Sequence, residues 1–414
     1  MNYNFKKISI CIIILIFLGS LSSLSAEDWP MFQDNIRHTG YVNQDSSYST
    51  QTWNVQLDGA ITASPVLCGD KLFVGTDKGT LYALDAQDGT EIWNFTAGDA
   101  IHSSAAVSGN TLYVGSDDGY LYSINTDNGK ENWKYKAGDS IKSSPAIDSD
   151  NVYVGSDDGI LHAVNRNNGS LSWEYKTQDN IQSSPTIHND TVFFGSDDDK
   201  VYAVTTDNGS LKWDYTTGDN VKSSVAIANE TVYVGSEDGQ LYALDENNGN
   251  EVWSYNAGSS VTSSPSIDAR QSTLYVATEK GNILALDIRD GLKKWEVKTG
   301  NKINATPSIF GTNIAIGSST GNMLMLNKFT GDSVWSYNPG YVDNFAGGIS
   351  ASAITSGGSL FMASEDGNVY SLNTDQKIGP TSIHTYYLIA MIIIVIACLV
   401  ILKKLVFDKL RNNK

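Results

Sequence analysis

Cysteine is nearly missing from this chain, with only Cys11, Cys68 and Cys398 among 414 residues. Cys11 and Cys398 lie inside the two long apolar runs, so one thiol remains for everything between them and no internal disulfide can form there. A core of about 350 residues is large enough to be stable without one. Basic residues are also in short supply, 28 against 46 acids for a net charge of −18. Seven of those cations (Lys6, Lys7, Lys403, Lys404, Lys409, Arg411 and Lys414) sit at the two ends, so the middle is more acidic than the total suggests. Such a surface excludes nucleic acid as a partner.

The apolar runs have different forms. Lys6 and Lys7 precede Ile8 to Leu18, and small residues lead on to Ala26, which reads as a secretory signal over residues 1–26. Cys11 lies within that run and not after it, so a lipid anchor is not expected. The second run, Tyr386 to Leu402, carries no charge and is followed at once by Lys403 and Lys404. Its length is at the short end of the roughly 17–25 residues that span a bilayer, and the trailing cations place residues 403–414 in the cytoplasm. The expected organisation is a signal (1–26), an external domain (27–373), a tether (374–385), one transmembrane helix (386–402) and a basic tail. That makes a single-pass protein of the cell membrane, in the style of an archaeal surface protein.

Between the runs, tryptophan recurs at Trp53, Trp93, Trp133, Trp173, Trp213, Trp253, Trp295 and Trp335, in steps of 40 broken once by 42. This period predicts an all-β, eight-bladed β-propeller. In the unit 139–178, alternating strands are joined by the turns Asp157-Asp158-Gly159 and Asn167-Asn168-Gly169, and Asx-Gly turns between alternating apolar residues mark hairpins. Four strands, A to D from the axis outward, make a blade. The strand around Trp53 precedes every A strand, while the last C strand, near residues 369–373, has no D strand after it. The ring is therefore expected to close by its N-terminal strand, which removes exposed sheet edges. The eight tryptophans are expected to be structural: a small C-strand residue such as Ala83, Ala243 or Ala285 would leave room for a neighbouring blade's indole. Met325 breaks that rule, so the docking of the seventh blade should be altered.

The Ala-x-Asp-x-x-x-Gly-x-x-x-Trp spacing, the Tyr-Val-Gly-Ser-Asp-Asp-Gly strings and the opening Trp29-Pro30-Met31-Phe32-Gln33-Asp34 with Arg37-His38-Thr39-Gly40 resemble the pyrroloquinoline-quinone (PQQ)-type repeat propellers. The resemblance covers about residues 28–373. That family includes quinoprotein alcohol dehydrogenases, an outer-membrane assembly lipoprotein and surface proteins without a cofactor. The dehydrogenases hold quinone with calcium and a vicinal cysteine bridge, and Cys68 has no neighbouring cysteine. No cofactor and no metal are expected, and the chain is not expected to be an enzyme. The acidic turns are better explained by turn chemistry than by calcium, which takes about 6–8 oxygens.

Strand direction puts the D-to-A and B-to-C connections on one face, the top, which should carry a strong negative field. After the apolar residue that opens each A strand, the repeats diverge: Thr62, His102, Lys142, Gln182, Lys222, Thr262, Asn304 and Ser350 are expected to ring the mouth of the axial channel. Trp335 to Ser352 spans six residues more than its counterparts. The excess forms a top loop carrying Tyr341, Asp343 and Phe345, typical contact residues. Sequons stand at Asn94, Asn168, Asn189, Asn208, Asn229 and Asn304. The sequence thus points to a membrane-anchored, monomeric binding or scaffold module for surface or envelope proteins, acting through the acidic face, with His102, Lys142, Gln182, Lys222, Tyr341, Asp343 and Phe345 as contacts. The alternative is a redox or sensor ectodomain that binds quinone or another small ligand.

Overall fold

Alternating apolar strands and tight turns become eight antiparallel sheets in the computed structural model, which describes residues 41–42, 49–339 and 347–374. In blade 3 the strands are Ala146–Ile147, Asn151–Gly155, Ile160–Asn165 and Leu171–Lys176, hydrogen-bonded in that order. Blades 1 to 7 follow this plan along the chain, from Val66–Cys68 in blade 1 to Ser308–Phe310 in blade 7 as A strands. Blade 8 takes Ile354–Ser356, Ser359–Ala363 and Asn368–Thr374 from the end of the array and Ser49–Gln56 from its beginning, with Trp53 opposite Ser371. The ring closes as its sequence predicts.

Burial follows blade position. B and C strands such as Val152 to Val154 and Leu161 to Val164 are buried throughout, because neighbouring blades cover both faces. The D strands cover one face only: Leu171, Ser172 and Glu174 are exposed while Trp173 and Tyr175 are partly covered.

The tryptophans join blades differently from the sequence expectation. Each stands across from the small C-strand residue of its own blade, Trp93 from Ala83, Trp173 from Ala163 and Trp253 from Ala243. The small residue makes room within the blade, and a glycine of the next blade receives the ring. A Cβ on Gly169 would stand 2.7 Å from the Trp133 indole, and Gly169 also has φ +73°. Both facts require glycine there. The indole N–H then crosses the seam to a carbonyl, from Trp93 to Thr126 at 2.9 Å and from Trp213 to Glu246 at 2.8 Å.

Trp335 is the exception. Met325 lies opposite it, and its Nε1 is buried without a hydrogen-bond partner among the described residues. The outer strand of blade 8 comes from residues 49–56, so no C-to-D turn supplies a glycine at that seam.

A strands are shorter than their sequence suggests, with only Ala146–Ile147 regular in blade 3. The preceding residues spend their hydrogen bonds on other blades. Ile141 N–H donates to Ser116 of blade 2, and Ser144 N–H donates to Ser184 Oγ of blade 4. This second bond recurs as a belt around the axis: Ser64 to Ser104, Ser104 to Ser144, Ser184 to Ser224, Ser224 to Ser264 and Ser264 to Thr306, at 2.9–3.2 Å. Ser352 N–H donates to Ser64 Oγ at 3.0 Å, bonding the last blade to the first. In blades 2 to 6 the serine before the belt residue works within its blade, as Ser143 Oγ does by accepting from Gly155 N–H.

One element has no sequence signal. Tyr41–Val42 pairs in parallel with the A strand of blade 7, Tyr41 beside Ile309 and Val42 beside Phe310, and so lies inward of it. The expected signal, tether, transmembrane helix and basic tail fall outside the described residues, apart from Thr374, which ends strand C of blade 8. Among the described residues no helix is long and apolar enough to cross a membrane.

Ser144→Ala leaves the Ser104 N–H buried and unpaired, which costs about 1–3 kcal/mol. Ser149, exposed in an A-to-B turn, is the control: Ser149→Ala should change stability by less than about 0.5 kcal/mol in the same urea titration.

Candidate binding face

D-to-A and B-to-C loops meet on one face and hydrogen-bond across every seam from blade 1 to blade 5. Gly98 N–H donates to Asp118 Oδ2 at 2.6 Å, Gly138 to Asp158 at 2.7 Å, Gln178 to Asp198 at 2.9 Å and Gly218 to Asp238 at 2.8 Å. The same carboxylates accept from Tyr122, Tyr202 and Tyr242 hydroxyls at 2.6–2.7 Å, while His162 replaces tyrosine against Asp158 at 3.2 Å. Burial and the facing carboxylate push these phenols well above their ordinary range. Burial pulls Asp158 up, but its bond to His162 wins and holds it below the usual carboxylate value. The second acid of each Asp-Asp-Gly turn therefore staples two blades. Turn chemistry alone, the reading taken from sequence, explains only its bond to the turn's own backbone, as where Asp118 Oδ1 accepts from Tyr120 N–H.

The first acid of each turn faces the mouth, where it meets the variable positions. His102 Nδ1 lies 3.0 Å from Asp117, Lys142 Nζ 2.5 Å from Asp157, and Lys222 Nζ 3.1 Å from Glu237. Gln182 donates across a seam to the other Asp157 oxygen at 3.1 Å. Its bond to Asp157 holds Lys142 above its ordinary range; Lys222 is partly buried, which works the other way, yet Glu237 still raises it. Asp77, Asp117 and Asp197 each keep one buried oxygen without a hydrogen-bond partner among the described residues, as do the hydroxyls of Thr262 and Ser350. Burial pushes Asp197 up to about 6; Lys222 opposes the shift and Asp179, Glu237 and Asp157 add to it. Like charge has accumulated here beyond what Lys142, Lys222 and the neutral donors beside them balance.

The staple is lost at the seam between blades 5 and 6. Lys280 stands where the staple aspartate would be, and Ser259 replaces the loop aspartate of Asp99, Asp139, Asp179 and Asp219. Gly258 instead has φ +82°, donates to Asn256 Oδ1 at 2.8 Å, and has nothing within 4 Å of where a Cβ would be. A cleft of about 510 Å³ opens there, lined by Glu237, Asn256, Ser259, Glu279, Lys280 and Lys302 among others. Comparing repeats at the second turn position would have found it, since Lys280 departs from the pattern of blades 2 to 5.

The proposed contacts Tyr341, Asp343 and Phe345 lie outside the described residues. All six sequon asparagines are exposed. Asn168 and Asn208 cap their turns by accepting from Ser170 and Ser210 N–H, and Asn189 and Asn229 have left-handed backbones at φ +45° and +52°. Asn94 is on the outer strand of blade 1, and Asn304 is at the mouth, with the threonine of its sequon, Thr306, serving in the belt. Among the described residues no three of His, Cys, Asp and Glu are grouped to hold a metal ion.

The profile of the family described as "Beta-alanine-activating enzyme, beta-propeller" matches residues 151–394, more than half of the chain. The chain belongs to this family of PQQ-type repeat β-propellers. A second profile, "Outer membrane protein assembly factor BamB", matches residues 42–185 of the propeller. Among solved structures, BamB from Moraxella catarrhalis is 21% identical with a TM-score of 0.69, covering 79% of this chain and 100% of that one. Quinohemoprotein alcohol dehydrogenase from Comamonas testosteroni is 15% identical with a TM-score of 0.72, over 88% and 83%. The computationally designed Ika8 protein is 16% identical with a TM-score of 0.69, over 78% and 99%. At such identities these likenesses establish the propeller fold alone. No curated protein sequence matches the chain.

Asp197 provides a pH test. Its folded-state value lies above that of an unfolded aspartate, so the folded protein holds the extra proton and stability falls as pH rises from about 4 through about 6. Asp197→Asn should flatten that window and raise stability at pH 7.5 by about 1 kcal/mol, after allowance for screening at a partly exposed site. Urea unfolding at pH 4 and pH 7.5 measures it, with little change expected at pH 4.

Proposed function

We propose that this propeller is a non-catalytic binding or scaffold module that engages other proteins at the cell surface through its acidic top face. The observation that carries the reading is the concentration of carboxylates on one side. The mouth acids from Asp77 to Glu365 and the loop residues Asp99, Asp139, Asp179 and Asp219 share that face. A fixed field of one sign speeds encounter with a partner of the other and selects against like-charged ones. The profile match to an outer-membrane assembly factor over residues 42–185 supports a role with envelope proteins. In this reading the apolar run 386–402 anchors a monomeric ectodomain with residues 403–414 in the cytoplasm. The loop bearing Tyr341, Asp343 and Phe345 adds contacts beside His102, Lys142, Gln182 and Lys222. Glycans on the six sequons would cover mainly the side away from the partner.

A second reading, a quinone- or small-ligand-binding redox or sensor ectodomain, is favoured by the fold shared with the quinohemoprotein alcohol dehydrogenase. Purified ectodomain that oxidised alcohols with added quinone and calcium would establish it.

Replacing Asp99, Asp139, Asp179 and Asp219 together by Asn keeps their local hydrogen-bond acceptors and removes four charges. Partners identified by proximity labelling should bind this variant at least about tenfold more weakly at 50 mM salt, with the difference shrinking at 500 mM as charges are screened. Equal binding at both salts would rule out the acidic face as the contact surface.

A further inference from the structure

We propose that the cleft at the seam between blades 5 and 6 binds a small zwitterion of the size and chemistry of a free amino acid. This inference does not depend on the protein-binding role of the face. Its volume of about 510 Å³ falls within the roughly 300–1,000 Å³ usual for small-molecule sites. It lies at a seam that lacks a device repeated at the four seams before it. Four seams carry the aspartate staple, and here Lys280 and Ser259 stand in place of two acids.

Hydrogen-bond accounting shows which groups are available to a ligand. Glu237 is occupied by Lys222 and Asn220, and Asp238 by Gly218, Gln240 and Tyr242. Glu279 Oε1 holds Lys302 at 2.7 Å. Three groups make no hydrogen bond or ion pair among the described residues: the Lys280 ammonium, the Asn256 amide N–H₂ and Glu279 Oε2. The first two are donors suited to a carboxylate, and the third is an acceptor suited to an ammonium group.

Charge selects the same class. Lys222, Lys280 and Lys302 balance Glu237, Asp238 and Glu279, so the cleft is locally neutral within an acidic face. A simple anion would be repelled by the mouth acids, and a simple cation would leave Lys280 and Asn256 unanswered. A molecule carrying both charges meets both sets and adds no net charge.

Isothermal titration of the folded propeller with L-alanine, acetate, methylammonium and glucose tests this. L-alanine should bind, with acetate and methylammonium at least tenfold weaker and glucose silent. Lys280→Asp should abolish L-alanine binding while leaving the thermal midpoint equal or higher, since it returns a staple acceptor to the seam, which separates lost binding from lost folding. Lys130→Ala, on the opposite face, should leave binding unchanged. Acetate binding as tightly as L-alanine, no heat from L-alanine up to about 10 mM, or full binding by the Lys280→Asp variant would each overturn the proposal.

Discussion

A hydrogen bond from one blade to the next, near the axis and present at seven seams among the described residues, is the constraint on which this ring depends. The serine that accepts it must be small, buried and in register with its neighbours, and the N–H that donates it is lost to its own sheet's ladder. That is why the A strands are only two or three residues long although their sequences could pair further. It is also why the positions after His102, Lys142 and Lys222 remain Ser-Ser while those three vary. The belt holds the inside of each seam, the Trp–Gly contact holds the outside, and the Asp staple closes the top. Removing a belt acceptor leaves a buried N–H unpaired, worth about 1–3 kcal/mol, whereas the staple bonds lie at the surface.

Chemical freedom appears where these devices are dropped. The variable mouth residues sit two positions before the belt residues, outside the seam contacts that the belt serines make. Their partners, the first turn acids, are drawn close by the same geometry, and this crowding raises Asp197. The cleft between blades 5 and 6 lies where both acids of the staple pattern are replaced, by Lys280 and Ser259, and where nothing packs against Gly258. Function in a repeat protein can thus be sought at the departures from the repeat.

Much of the ring was legible in the sequence. Eight tryptophans, the unpaired strand around Trp53 and the Asx-Gly turns sufficed for blade number, closure and sidedness, because each is a local signal repeated many times. What lay across seams was harder to read. The small residue facing Trp173 turned out to belong to its own blade, since a spacing of ten residues is compatible with either partner. The staple role of Asp118 and Asp158 was hidden behind their adequacy as turn residues. Tyr41–Val42 gave no signal at all, because a two-residue parallel pair has neither period nor turn.

The closing strand has a mechanical consequence. Strand C of blade 8 ends at Thr374, held on one side by residues 359–363 and on the other by residues 49–56. Tension directed along that strand would load both ladders in shear, so that their pairs share the load and are not unzipped one at a time. The end of the propeller is therefore a grip clamped by residues 49–56, and a ring pulled from there along the strand would resist being torn open by flow or by a moving partner.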